Sequence, residues 1–241
     1  LWSANYQAIE SDYERRPVKP TLDAEPNYED HPIKRGTGRF NAWHVRLKAY
    51  WSVFAGGFGI TYGGNGIWQM DKTGLLPHLE AHFRLTWDQA LDLPGGNQMK
   101  HLRRLIESRP FLSRIPDDDT VLNSPKGEGA ERIQVTRDKD RTWAMYYLTS
   151  GQTFQANLAN LKGPKIQAWW FNPRDGLTYG NDGIRSDRPF AEFINTDSRP
   201  RFDPPGESGE DHDWVLVLDC ASSGYPVPGS FKAPEPTAPR P

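Results

Sequence analysis

Apolar positions recur along the first hundred residues at two spacings. Trp2, Tyr6, Ile9 and Tyr13 fall four, three and four apart, a helical stripe that Pro17 and Pro20 bring to an end. VKPTLDAEP then reads as a short strand that finishes in charge, with Leu22 on one face and Asp23 and Glu25 separated by one residue. Residues 27–38 are polar and glycine-containing, a loop. In FNAWHVRLKAYWSVFAGG the residues Trp43, Leu47, Tyr50, Trp51 and Phe54 sit at i, i+4, i+7, i+8 and i+11, which predicts a helix closed by Gly56 and Gly57. FGITYGG follows as a compact apolar strand running into a Gly-Asn loop through Asn65. A second amphipathic helix is predicted over 97–111, with Met99, Leu102, Leu105 and Ile106 on one face and the Pro94-Gly95-Gly96 turn capping it upstream.

Helix, strand, loop, helix, strand is a βα alternation, the signature of a parallel α/β sheet or barrel, and two strands cannot close a barrel alone. From residue 117 the texture changes. RIQVTR, TWAMYYLTS, TFQANLA, IQAWWFNP, AEFI and WVLVLD are short runs with period-2 alternation, separated by turn residues. Six such runs predict an antiparallel β-sandwich. The pattern therefore divides the chain into an α/β portion (1–116), a sandwich (117–226) and a proline-rich tail (227–241). The acidic run Asp117-Asp118-Asp119 reads as a solvated linker at the junction, and no internal repeat of 20–50 residues is visible.

Charge narrows the function classes. With 29 basic and 31 acidic residues and a net charge of −2, nothing points to nucleic acid or an anionic membrane. No apolar run is long enough for a transmembrane helix. The one cysteine excludes an internal disulfide framework and a cysteine metal cluster, and Cys220, inside WVLVLDCAS, reads as a buried structural thiol. Nine Trp, nine Tyr and eleven Phe fit either rings that stack on sugars or an aromatic β-rich core. The N-terminus reads as the middle of a helix, so the chain is expected to begin inside a larger protein.

The strongest chemical candidate is Glu25. A carboxylate at the C-terminal end of a parallel strand lies where α/β barrels build active sites, and Pro26 ends strand pairing directly after it. The plainer alternative is a solvated acid paired with Arg15, Lys34 or Arg35. Asp23 would orient Glu25 or satisfy a neighbouring strand. In ITYGGNGIWQMD, Tyr62, Asn65, Trp68 and Gln69 surround a glycine turn with amides and rings suited to sugar recognition, or with an ordinary turn and core helix. The glycine spacing matches no phosphate-binding fingerprint. His78 and His82 stand four apart, but H-L-E-A-H is not the zinc-protease order and no third ligand is evident, so neither metal nor cofactor is expected.

In order along the chain, PTLDAEPNYED, RLKAYWSVFAGGFGITYGGNGIWQM and LPGGNQMKHLRRLIESRPF resemble the second half of the barrel of apiosidase-like glycoside hydrolases. RTWAMYYLTSGQTFQANLANLKGPKIQAWWFNPRDG is similar to the C-terminal domain that this family calls collagen-binding. The resemblance implies that Pro20 to Glu25 and Gly59 to Gly63 are strands seven and eight of a TIM (β/α)8 barrel followed by the β-sandwich. It further implies that Glu25 is the nucleophile of a retaining glycosidase and that Tyr62, Asn65 and Trp68 belong to the substrate loop. Ile60 departs from the histidine expected before Thr-Tyr-Gly. A retaining mechanism needs two carboxyl groups about 5–5.5 Å apart. Asp23 cannot be the second, because side chains at i and i+2 of a strand project in parallel roughly 7 Å apart. The resemblance thus places the acid/base carboxylate on an earlier strand, in an N-terminal barrel half that this chain lacks. The implied partners are that half and a glycan, with apiosyl linkages of plant glycans one candidate, and export from the cytoplasm is implied as well. The competing readings make the sandwich a polysaccharide- or collagen-binding module, or a structural buttress.

Overall fold

A computed structural model describes residues 4–33, 38–72, 82–194 and 198–230. The first half runs helix α1 (Asn5–Glu14), strand β1 (Leu22–Asp23), helix α2 (Ala42–Phe54), strand β2 (Gly59–Ile60), the one-turn helix α3 (Trp87–Ala90) and helix α4 (Pro94–Glu107). β1 and β2 pair in parallel, Leu22 opposite Gly59 and Asp23 opposite Ile60. The pairing continues beyond both strands, where the Glu29 N–H donates to the Gly63 carbonyl and the Asn65 N–H to the Glu29 carbonyl, each at 2.8 Å. The two loops that leave the strands therefore travel side by side.

The second half comprises β3 (Arg114–Pro116), helix α5 (Asp118–Val121), β4 (Ile133–Asp138), β5 (Trp143–Leu148), β6 (Phe154–Gln155), β7 (Ile166–Asn172), β8 (Leu177–Tyr179), β9 (Ala191–Phe193), β10 (Arg201–Phe202) and β11 (Trp214–Cys220). An antiparallel sheet of seven strands has the order β3-β4-β5-β11-β7-β8, and β9 joins β8 on the far edge of β7. β6 and β10 form a separate antiparallel pair. Each of the six runs expected as strands is one.

The alternation along the central strands feeds two different cores. Trp143, Met145, Tyr147, Trp169, Phe171, Val215 and Val217 face one way, into a cluster with Trp43, Leu47, Tyr50, Trp51 and Phe54 of α2. Tyr146, Leu148, Trp170, Leu216 and Leu218 face the other way, toward Phe154 and Phe202 of the β6–β10 pair. The expected sandwich is thus lopsided. Its second sheet is two strands, and helix α2 covers the opposite face of the large sheet with its apolar residues Trp43, Leu47, Tyr50, Trp51 and Phe54, the helix being buried from Val45 to Phe54. α2 starts on Asn41, whose side chain accepts the His44 N–H at 3.2 Å while His44 Nδ1 accepts the Asn41 N–H at 3.2 Å. Polar ties cross the same interface. Trp43 Nε1 donates to the Thr149 carbonyl at 2.9 Å, Trp51 Nε1 to Thr149 Oγ1 at 3.1 Å, and the rings of Tyr50 and Tyr147 stack at 4.6 Å.

Two local expectations are revised. Pro94-Gly95-Gly96 is the first turn of α4 rather than a turn before it, since proline's fixed φ suits the first helical position. The acidic run is a folded corner and not a solvated linker: Asp118 is buried and accepts from Arg132 Nη2 at 2.5 Å and the Val135 N–H at 2.8 Å, while Asp117 pairs with Arg137 Nε at 2.5 Å. The two arginines of β4 and its approach supply the counter-charges that a solvated run would not need. Cys220 is a free, buried thiol. Trp2, His78 and most of the proline-rich tail lie outside the described residues. Among the described residues no helix is long and apolar enough to cross a membrane.

Candidate active site

Of the six residues singled out from the sequence, three meet in one cleft. Glu25, at the bend that ends β1, shares a space of about 360 Å³ with Trp68 and Gln69 of the loop after β2. The remaining walls are Pro26, Asn27, Tyr28, Phe40 and the imidazoles of His31 and His82. Trp68 is 69% exposed, an indole face open to the cleft's surroundings. Gln69 Oε1 accepts the Gly66 N–H at 3.0 Å, which fixes the turn that carries Trp68. His31 and His82 meet edge to face with ring centres 4.7 Å apart. Burial, with further contributions from His31 and Arg39, lowers the pKa of His82, which favours the neutral ring.

Glu25 is exposed, and Tyr28 Oη donates to its Oε1 at 3.0 Å. That hydrogen bond to a carboxylate is the main reason the phenol pKa lies above its ordinary value. Asp23 is turned away from the cleft, into the helical layer. Its Oδ2 accepts from Asn5 Nδ2 and from Ser52 Oγ, both at 2.8 Å. The bend at Glu25 separates the two carboxylates that a continuous strand would have aligned.

Tyr62 and Asn65 lie on the other side of the paired loops, around a residue that the sequence reading passed over. Glu29 is 2% exposed. Tyr62 Oη donates to Glu29 Oε2 at 2.8 Å and the Gly95 N–H to Oε1 at 3.1 Å, so the carboxylate caps the N-terminus of α4. Burial pushes the Glu29 carboxyl up, opposed by those donors, by the Gly96 N–H and by the charge of Arg46. Burial and the Glu29 charge together raise the Tyr62 phenol. Asn65 is buried and donates through Nδ2 to the His82 carbonyl at 2.9 Å, holding the segment that delivers the His82 ring to the cleft. Deeper in the helical layer the Lys48 ammonium, desolvated and only partly compensated by Asp23, has its pKa lowered to about 8.

Gly95 shows how tightly Glu29 is held. A Cβ there would stand 2.4 Å from Glu29 Oε2 and 2.9 Å from its Cδ. Alanine in place of glycine inside an exposed helix usually gains about 0.5–1 kcal/mol. Here the sign is expected to invert, with Gly95→Ala losing about 1–3 kcal/mol in urea unfolding because the carboxylate must leave its donors.

Among the described residues no group of three or more His, Cys, Asp or Glu side chains is arranged to hold a metal ion. The chemistry on offer is a carboxylate with an anchored oxygen, beside rings that can stack and amides and imidazoles that can hydrogen-bond hydroxyls. Residues 2–113 match the family model described as "Apiosidase-like, catalytic domain", and residues 115–219 the one described as "Putative collagen-binding domain of a collagenase". No curated protein matches the chain. Among solved structures, one described as a glycoside hydrolase is 32% identical with a TM-score of 0.79, over 91% of this chain and 46% of its own. A glycoside hydrolase family 5 protein from Bacteroides vulgatus ATCC 8482 is 33% identical with a TM-score of 0.79, over 91% of this chain and 45% of its own. The chain thus spans about half the length of the solved structures it matches.

Proposed function

The chain carries an apiosidase-like catalytic-domain segment followed by a domain of the collagen-binding type, and from that premise we propose that it is the C-terminal part of a retaining glycoside hydrolase with Glu25 as nucleophile. The observation that carries this reading is the position of Glu25, at the end of a parallel strand and in a cleft faced by Trp68, Gln69 and two imidazoles. β1 and β2 are then neighbouring strands of a (β/α)8 barrel, with the site at their C-terminal ends. A two-stranded parallel sheet is not self-sufficient, and Leu22 and Phe58 stand 39% and 63% exposed beside this one, as residues at an open barrel edge would.

In the reaction a Glu25 oxygen attacks the anomeric carbon while a second carboxyl group protonates the departing glycosidic oxygen. Water, deprotonated by that same group, then releases the sugar from the Glu25 ester with its configuration retained. Among the described residues around the cleft Glu25 is the one carboxylate. Asp23 is engaged with Asn5 and Ser52, and Glu29 with Tyr62 and Gly95. The acid/base group therefore belongs, on this reading, to barrel strands outside the chain, and the substrate is a complex glycan. The sheet domain is a buttress, a role supported by the face it gives to α2.

The test uses the completed enzyme, in which this chain follows its upstream barrel segment. An activated 2-deoxy-2-fluoro glycoside, which slows release more than attack, is expected to leave a mass adduct on the peptide containing Glu25. An adduct on another carboxylate, or a product of inverted configuration by proton NMR, would overturn the assignment.

A further inference from the structure

We propose that Tyr28 is the positioning residue for the Glu25 carboxylate, and that Gly63 on the neighbouring loop is what gives the Tyr28 ring its seat. The inference rests on Glu25 being the reacting group. Among the described residues the Tyr28 hydroxyl supplies the hydrogen bond to the Glu25 carboxylate, at 3.0 Å on Oε1. Without it an exposed glutamate is free to sample its rotamers, and an attacking atom off its line loses rate steeply. With Oε1 held, Oε2 is the oxygen left to attack, and the same donor stabilises the carboxylate when the glycosyl ester breaks.

The tyrosine is itself placed by close contact. A Cβ built on Gly63 would stand 2.6 Å from Tyr28 Cδ1, 2.7 Å from Cε1 and 2.8 Å from Cγ, so the ring lies directly on the backbone of that loop. The loop in turn is fixed to the Tyr28 segment, since the Gly63 carbonyl accepts the Glu29 N–H at 2.8 Å. β1's loop thus carries both Glu25 and Tyr28, and β2's loop sets the ring's height. The raised phenol pKa agrees with a donor facing a carboxylate.

Two measurements test this. In the chain itself, with tyrosine labelled at Cζ by carbon-13, NMR follows the Tyr28 phenol, assigned by its loss in Tyr28→Phe. Glu25→Gln is expected to bring that titration down toward the ordinary tyrosine range, and an unchanged titration overturns the contact. In the completed enzyme, Tyr28→Phe is expected to lower kcat roughly 10- to 100-fold with KM little changed, with active sites counted by the fluoro-glycoside burst so that misfolded protein does not enter the rate. Unchanged kcat in Tyr28→Phe, in an enzyme that Glu25→Ala inactivates, overturns the positioning role alone. Full activity in Glu25→Ala removes the reading beneath it and the inference with it.

Discussion

Asp213→Ala is expected to destabilise the chain by about 3–5 kcal/mol, the range for a buried ion pair that loses one partner. Asp213 is fully buried and Arg46 is 1% exposed. The Asp213 carboxylate takes Arg46 Nε on Oδ2 at 3.0 Å and Nη2 on Oδ1 at 2.8 Å, and accepts Tyr147 Oη at 3.0 Å. Gln98 of α4 accepts Arg46 Nη1 at 2.7 Å, and Asp211, largely exposed, accepts from Nη2. Burial works to lower the Arg46 pKa, yet the charge and hydrogen bonds of Asp213 leave it above the ordinary value, so the guanidinium stays charged in the core. Remove Asp213 and a desolvated cation remains with a single solvent-facing anion. Urea unfolding followed by both tryptophan fluorescence and far-ultraviolet dichroism checks the loss. Arg46 lies on α2 and Asp213 precedes β11, so both probes should shift together with an unchanged slope. Separate transitions, or a loss under about 1 kcal/mol, would show the two halves to be energetically independent. Arg46→Met combined with Asp213→Leu should recover much of the stability, since apolar groups of similar volume need no counter-charge.

Glu25→Ala in the completed enzyme should lower kcat/KM by about 10⁴-fold or more, or roughly 5–6 kcal/mol of transition-state stabilisation. The alanine leaves room for a small anion where the carboxylate was. Azide should then restore turnover of an aryl glycoside with a good leaving group, by attacking the anomeric carbon from the Glu25 side and giving a glycosyl azide of inverted configuration. Gln at the same position fills the space, so azide should not rescue it. Proton NMR of the azide product is the decisive reading, and a product of retained configuration would assign the nucleophile to another group.

How far the sequence could be read follows from the range of the interactions involved. β7 and β11 were legible because alternate residues serve opposite cores, and α2 because its apolar stripe is strong. The charges on α2 were harder. Arg46 meets its counter-ion 167 positions away, a pairing that no local pattern carries. Glu29 was invisible for the same reason, with Tyr62 33 and Gly95 66 positions distant, so it looked like one more acid in a polar loop. The contact between Tyr28 and Glu25 spans three residues and could have been suspected, but only the geometry of Gly63 shows where the ring lies. For Asp23 the spacing leaves open whether it orients Glu25 or serves a neighbouring element; β1 is two residues long, and the bend after it sends the two side chains to different layers, where Asp23 accepts from Asn5 and Ser52.

The two family matches meet between residues 113 and 115, yet one hydrophobic cluster runs from Tyr6 through α2 to Val217 across that line. A boundary of descent is therefore not a boundary of exchange. Swapping the sheet domain for a relative's would set a foreign surface against Trp43, Tyr50 and Trp51, and a viable chimera would have to import α2 with the sheet. The unit that recombination can move intact is larger than either family name.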